Sequence, residues 1–301
     1  MKRYLSIILV GVCSMWSTKT LLAQKIDLFS EQEEKTKDLA TAAFKSSRVV
    51  NGQSIENVGV GVLDLKILHR FGNLNQGAYN LFGLDQASMR IGLDYGISQR
   101  LMIGAGRSTF EKQFDGFAKY KLIQQQTGLK NIPMSISLAS TIMYKSLKDD
   151  PASTYLSYTS DKLSFAHQLI LARKFNDYFT LQLTPTIVHY NLVASSSLPN
   201  DFKSVGISFR QRISKRVNFT TEYFYRIDKL NGYNDPLTLG LDIETGGHVF
   251  QLHVTNSTGM TERTFINETT GAWGDGAIRF GFNITRAFTL KKPKELKNIN
   301  F

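Results

Sequence analysis

The chain has 301 residues, a formal net charge of +11 and one cysteine, Cys13, with 42% hydrophobic and 20% charged residues. A single thiol excludes an internal disulfide framework and a cysteine-ligated metal site. No apolar run approaches the roughly 18 residues of a spanning helix, so a membrane role would have to be carried by strands.

Met1 to Gln24 reads as an export signal, with Lys2 and Arg3 as a basic start, Tyr4 to Trp16 as a short apolar stretch and cleavage after Ala23. A lipoprotein acylated at Cys13 is the alternative, but Val12 stands where a small residue is expected. Lys2, Arg3 and Lys19 lie in this segment, which has no acids; removing those 3 from 11 leaves a mature charge of +8. A basic balance can indicate nucleic acid, yet an exported chain with strand periodicity excludes that partner.

Residues 24–58 differ from the rest. Ser30 and Glu33 have capping-box spacing, which predicts a short helix running to about Phe44. The segment is nearly charge-balanced and weakly apolar, so it is expected as a short, mobile N-terminal periplasmic extension. The alternative is a partial plug, with Phe44 to Val50 tucked into the mouth of the fold that follows.

From 59 to 290 the pattern is period two. In the hairpin Asp85 to Arg107, Ala87, Met89, Ile91, Leu93, Tyr95 and Ile97 share one face of a strand, and Ser88, Arg90, Gly92, Asp94, Gly96 and Ser98 share the other. An apolar face opposite a charged, Gly-rich one fits a barrel with lipid outside and a polar lumen. About twelve such runs follow, near 59–71, 85–98, 101–107, 112–124, 133–146, 162–175, 179–193, 202–214, 217–228, 236–246, 248–257 and 275–289. Their connections alternate between long or medium and tight, apart from a medium fourth one. That alternation places the long loops outside, the tight turns and both termini in the periplasm.

Three tight turns share a recipe, Ile97-Ser98-Gln99-Arg100-Leu101, Phe175-Asn176-Asp177-Tyr178-Phe179 and Ile213-Ser214-Lys215-Arg216-Val217, in which Ser or Asn can bond its own backbone. Phe179, Tyr190, Tyr223 and Tyr225 are expected in aromatic girdles. Ile278, Phe280, Phe282 and Ile284 make the last strand's apolar row, and Phe288 is the candidate signal for barrel-assembly machinery. The basic tail, 291–301, reads as a solvated end, with contact to lipopolysaccharide or peptidoglycan as the alternative.

Strand parity turns a set of charges into the lumen: Lys66, Arg90, Lys119, Lys121, Arg210, Arg212, Arg226 and Arg279 against Asp64, Asp94, Asp115, Glu222, Asp242 and Glu244. They either neutralise one another and knit the interior shut, or their small positive surplus favours anions along a narrow path. Enzymatic constellations are weak. The five histidines, His69, His167, His189, His248 and His253, show no metal-ligand spacing on one strand face, and no catalytic, cofactor-binding or metal residue is assigned. The sharpest enzymatic reading is a phospholipase-like Ser/His pair using His167 or His189. Gly59-Val60-Gly61 and Gly104-Ala105-Gly106 lack a following helix and read as strand glycines, not phosphate cradles.

The runs Leu63-Asp64-Leu65, His69-Arg70-Phe71-Gly72, Phe82-Gly83-Leu84-Asp85 and Met89-Arg90-Ile91-Gly92-Leu93-Asp94-Tyr95-Gly96, with Arg107-Ser108 and Phe114-Asp115-Gly116 beyond, resemble an uncharacterised β-barrel family of Bacteroidota. Phe44 to Glu56, with Arg48 and Asn51-Gly52, is similar to that family's N-terminal segment. The resemblance implies an outer-membrane barrel and brings no activity, ligand or functional residue.

The sequence thus predicts an all-β chain, a transmembrane antiparallel barrel of about twelve strands in the bacterial outer membrane, in contact with its lipid and lipopolysaccharide. The expected function is a pore or passive conduit for small polar or anionic solutes. The alternatives are a non-conducting scaffold for a periplasmic or surface partner of unknown identity and a lipid-modifying enzyme.

Overall fold

The computed structural model describes residues 36–149 and 158–291. The export signal, Cys13, residues 24–35 and the tail beyond 291 lie outside the described residues. The described chain forms β1 (Lys37–Leu39), β2 (Val62–Asn73), β3 (Ala87–Gly96), β4 (Leu101–Ser108), β5 (Gln113–Ile123), β6 (Gln126–Gly128), β7 (Ser135–Lys145), β8 (Leu163–Lys174), β9 (Phe179–Tyr190), β10 (Asp201–Arg212), β11 (Val217–Arg226), β12 (Leu237–Thr245), β13 (His248–Thr255) and β14 (Arg279–Thr289). Twelve of these close an antiparallel barrel in chain order, β14 returning to β2, while β1 and β6 pair with each other outside the ring. Every run expected from periodicity is a strand. The first starts at Val62 instead of 59 and the last at Arg279 instead of 275.

Alternation of burial confirms the inverted pattern. In β5, Gln113, Asp115, Phe117, Lys119 and Lys121 are buried, while Phe114, Ala118, Tyr120 and Leu122 are exposed. The seam β14–β2 carries aromatic rings on its outer face, His69 stacking on Phe282 at 4.8 Å and Phe71 on Phe280 at 5.9 Å. Pro185 has no N–H to give the β8–β9 ladder, whose pairing passes from Gln168↔Thr186 to Leu171↔Leu183 without the two pairs between.

The tight turns close as their sequences require. Ser98 Oγ accepts from the N–H of Leu101 at 3.0 Å, Asn176 Oδ1 from Tyr178 and Phe179 at 2.8 Å, and Ser214 Oγ from Val217 at 3.2 Å. The medium fourth connection has a cause as well. It holds β6, which pairs antiparallel with β1, Asp38 opposite Thr127, and so clips the N-terminal segment to the short-turn end of the barrel.

Three expectations are corrected. Over 37–44 there is no helix: Lys37–Leu39 is a strand, and Ala42 has φ 53°, outside helical space. Residues 43–55 are not a mobile extension, because nearly all of them are buried inside the barrel. Tyr190 belongs to no girdle; its ring points inward and meets Phe202 edge-on at 5.3 Å.

The interior holds two apolar clusters. Towards the short turns, Ala43, Phe44, Val49 and Ile55 pack with Ala139, Ile170 and Ala172 of the β7–β8 wall. Towards the long loops, Phe265 and Ile266, from the connection 256–278, pack with Met143, Ala166, Val188, Tyr190, Phe202 and Phe224. Phe224 lies over Gly206, where an added Cβ would sit 2.6 Å from the ring, so glycine is what lets this aromatic turn inward.

Candidate functional site

The lumen is the candidate site, and a hairpin of the chain's own N-terminal segment fills it. Val49 N–H donates to Gly52 O at 2.8 Å and Ser54 N–H to Ser47 O at 3.0 Å, with a two-residue tip at Val50-Asn51. The hairpin enters and leaves at the same end. Ala40 N–H bonds Gln125 O beside the clip, and Gly61 N–H bonds Gly96 O where the chain rejoins the barrel.

Two opposite charges of the wall grip its backbone. Glu222 receives three successive amides at the tip, Asn51 at 2.8 Å, Gly52 at 3.0 Å and Val50 at 3.4 Å. Lys119 donates to three carbonyls nearer the base, Glu56 at 2.6 Å, Ser54 at 2.9 Å and Ser47 at 3.0 Å. A hairpin tip presents several N–H groups in one direction, a concavity that suits an anion; converging carbonyls suit a cation. Gln182 bonds Ile55 N–H and Gln53 O, each at 2.9 Å, while Gln251 bonds Val49 O at 2.6 Å and Asn283 bonds Val50 O at 3.0 Å.

The remaining predicted lumen charges are placed as follows. Lys66 lies 2.8 Å from Asp64 and 3.7 Å from Asp94 and also donates to Ser46 Oγ at 2.9 Å. Asp94 accepts from Ser47 Oγ at 2.9 Å. Arg90 and Asp115 form a bidentate pair with both side chains fully buried, the Nε bond measuring 2.8 Å. Arg226 pairs with Asp235 at 2.9 Å, and Asp242 accepts from Gln251 at 2.9 Å. Arg210 donates to Asn218 and to Asp177 O, both at 3.3 Å. Glu244 and Arg212 are only half-buried; the first pairs with Lys45 of the hairpin at 2.7 Å and the second donates to Ser214 O at 3.2 Å. Lys121 is buried near the short turns, and Arg279 is buried at the start of β14, donating to Asn256 O at 3.0 Å.

Sequence reasoning missed the partners these charges serve. Arg70 shares the parity of Asp64 and Lys66 and reaches Asn51 Oδ1 and Asn283 Oδ1. Arg48 donates to Asn51 O at 2.7 Å, lies 5.5 Å over the Phe117 ring and is 3.5 Å from Glu262 of the inward-folded connection. Through that contact the material filling one end of the barrel meets the material filling the other.

On the outer face, His167 Nδ1 and Ser140 Oγ are 3.0 Å apart, and His189 Nδ1 is 2.8 Å from Asp201. Among the described residues no carboxylate orients the second nitrogen of His167, so the Ser/His pair lacks the third member of a nucleophile arrangement.

The sequence matches, over residues 44–288, a family model described as a membrane bound beta barrel domain (DUF5777). The chain belongs to this family. It is an outer-membrane β-barrel, and the family match starts at Phe44, so it takes in the lumen hairpin along with the strands. No curated protein matches the sequence. Among solved structures the chain is similar to the NanC porin, at 9% identity and a TM-score of 0.47, over 75% of this chain and 98% of that one. It is also similar to the KdgM porin in complex with disordered oligogalacturonate, at 9% identity and a TM-score of 0.47, over 75% and 99%.

Proposed function

We propose that the protein is a closed outer-membrane barrel that passes no solute at rest, a scaffold and not an open pore. The observation that supports this most is the filled lumen. Each buried side chain of Phe44, Val49 and Ile55 contributes about 1.5–3 kcal/mol to holding the hairpin in place. The bonds to Glu222 and Lys119 leave the hairpin's backbone satisfied in a low-dielectric interior, where an unpaired group would cost most.

A gated conduit is the second reading, favoured by the hairpin's entry and exit at one end. It can leave as a unit without threading through the barrel. With it gone, Lys119, Arg70 and Lys66 would line the passage together with Glu222, Asp64 and Asp94, a charge-balanced lining suited to small polar solutes.

Planar-bilayer recording tests both. The full chain is expected to be silent, and a variant in which a short Gly/Ser linker replaces 41–57 and Phe265→Ala with Ile266→Ala loosens the connection that fills the other end is expected to conduct. Steady conductance by the full chain would overturn the closed barrel. Silence of the variant opened at both ends would remove the gated reading and leave the closed barrel.

A further inference from the structure

At the long-loop end, between the starts of β3 and β14 and the β4–β5 turn, lies a cavity of 370 Å³. Its lining includes Gln86, Ser88, Thr109, Phe110, Thr258 and Arg279, and it opens past the exposed Gln86. Arg279 is only 8% exposed.

The charges around this cavity balance except for one. Glu111, which also lines it, is held by Lys145 at 2.6 Å and lies 3.4 Å from Arg263. Arg263 is paired in turn with Glu268 at 2.9 Å. Arg279 spends Nη1 on the carbonyl of Asn256 at 3.0 Å and, among the described residues, forms no ion pair. A guanidinium without an acid, its remaining donors beside an open cavity, is a seat that an anion can reach.

We propose that this cavity binds a small hydroxylated carboxylate of the sugar-acid class, its carboxylate on Arg279. A guanidinium fork matches a carboxylate's two oxygens. The surplus is a single positive charge and Glu111 stands close by, which favours a monoanion over a phosphate dianion. The hydroxyls of Ser88, Thr109 and Thr258 and the amide of Gln86 suit a ligand with several hydroxyl groups, and Phe110 suits the apolar face of a ring. The volume holds about a dozen water-sized groups, the size of a six-carbon sugar acid. The site lies at the mouth and stands whether or not the lumen beneath it ever opens.

Calorimetric titration of the detergent-solubilised full chain with glucuronate, with glucose as the neutral control, tests the assignment. Saturable binding of glucuronate and none of glucose is expected. Arg279→Gln, checked for folding by retained heat-modifiable migration, is expected to weaken glucuronate binding by roughly tenfold or more, the loss of a charge-assisted pair. Equal binding of both sugars, no glucuronate binding up to about 10 mM, or an undiminished affinity in Arg279→Gln would each overturn the proposal. If Arg279→Gln does not fold, Ser88→Ala with Thr109→Ala serves in its place, with weaker glucuronate binding expected and unchanged binding counting against the site.

Discussion

Glu222→Gln is the most incisive single change to the filled lumen. Its Oε1 takes the Asn51 amide and its Oε2 takes those of Gly52 and Val50, so the isosteric amide, even when it turns its oxygen to the latter two, aims an NH2 group at the Asn51 donor. Leaving a buried donor unmatched costs about 1–3 kcal/mol, which destabilises the docked tip by that much. At the lower bound the undocked population rises about fivefold. Amide hydrogen exchange on the solubilised protein reads this directly. Protection at Val50, Asn51 and Gly52 is expected to fall by about fivefold or more, while the amides of β4 and β9 keep theirs. Unchanged protection at the tip would refute the clasp. Equal acceleration across the barrel would show that Glu222 holds the wall and not the hairpin.

Other perturbations separate the parts. Asp115→Asn takes the bidentate partner from the buried Arg90 guanidinium and is expected to cost up to about 3–5 kcal/mol, read as a lower temperature at which the folded band is lost on gels; Arg90→Met together with Asp115→Leu should recover most of it. Phe265→Ala is expected to cost about 3–5 kcal/mol of loop packing, and limited proteolysis should then cut within 258–271 while the barrel stays intact. Lys119→Met strands three hairpin carbonyls and is expected to raise exchange at the hairpin amides of Val49 and Ser54 without altering the barrel's thermal stability.

The barrel was legible because its determinant is local. A strand's face alternates residue by residue, so Ile278 to Ile284 or Ala87 to Ile97 declare their two environments without reference to anything distant. The lumen's contents were not legible in the same way. Phe44 to Val50 suggests a plug only as one of two alternatives and Asn51 to Ser54 carries no signal, because the groups that satisfy the hairpin come from β2, β3, β5, β9, β11, β12, β13 and β14, and Glu222 is 171 positions from Asn51. A signal did exist. Ile170, Val188, Phe202 and Phe224 lie on strand faces whose parity points inward, where a wet lumen would call for polar residues. Apolar residues on the lumen side require an apolar filler, and Phe44, Val49, Phe265 and Ile266 supply it. Tyr190 follows the same rule: its parity points inward, so its ring joins this filling and no girdle.

The clasp also fixes an order of events. The hairpin precedes the first barrel strand in the chain, yet its partners include Gln251 and Asn283, the latter 233 positions beyond Val50. Contacts of such separation form only after the intervening chain has been ordered, since closing a long loop costs entropy before any bond repays it. The hairpin, made before any barrel strand, is therefore the last to find its full seat. A barrel whose β14 has not met β2 offers the hairpin no complete seat, so docking of Val50-Asn51-Gly52 reports that closure has succeeded.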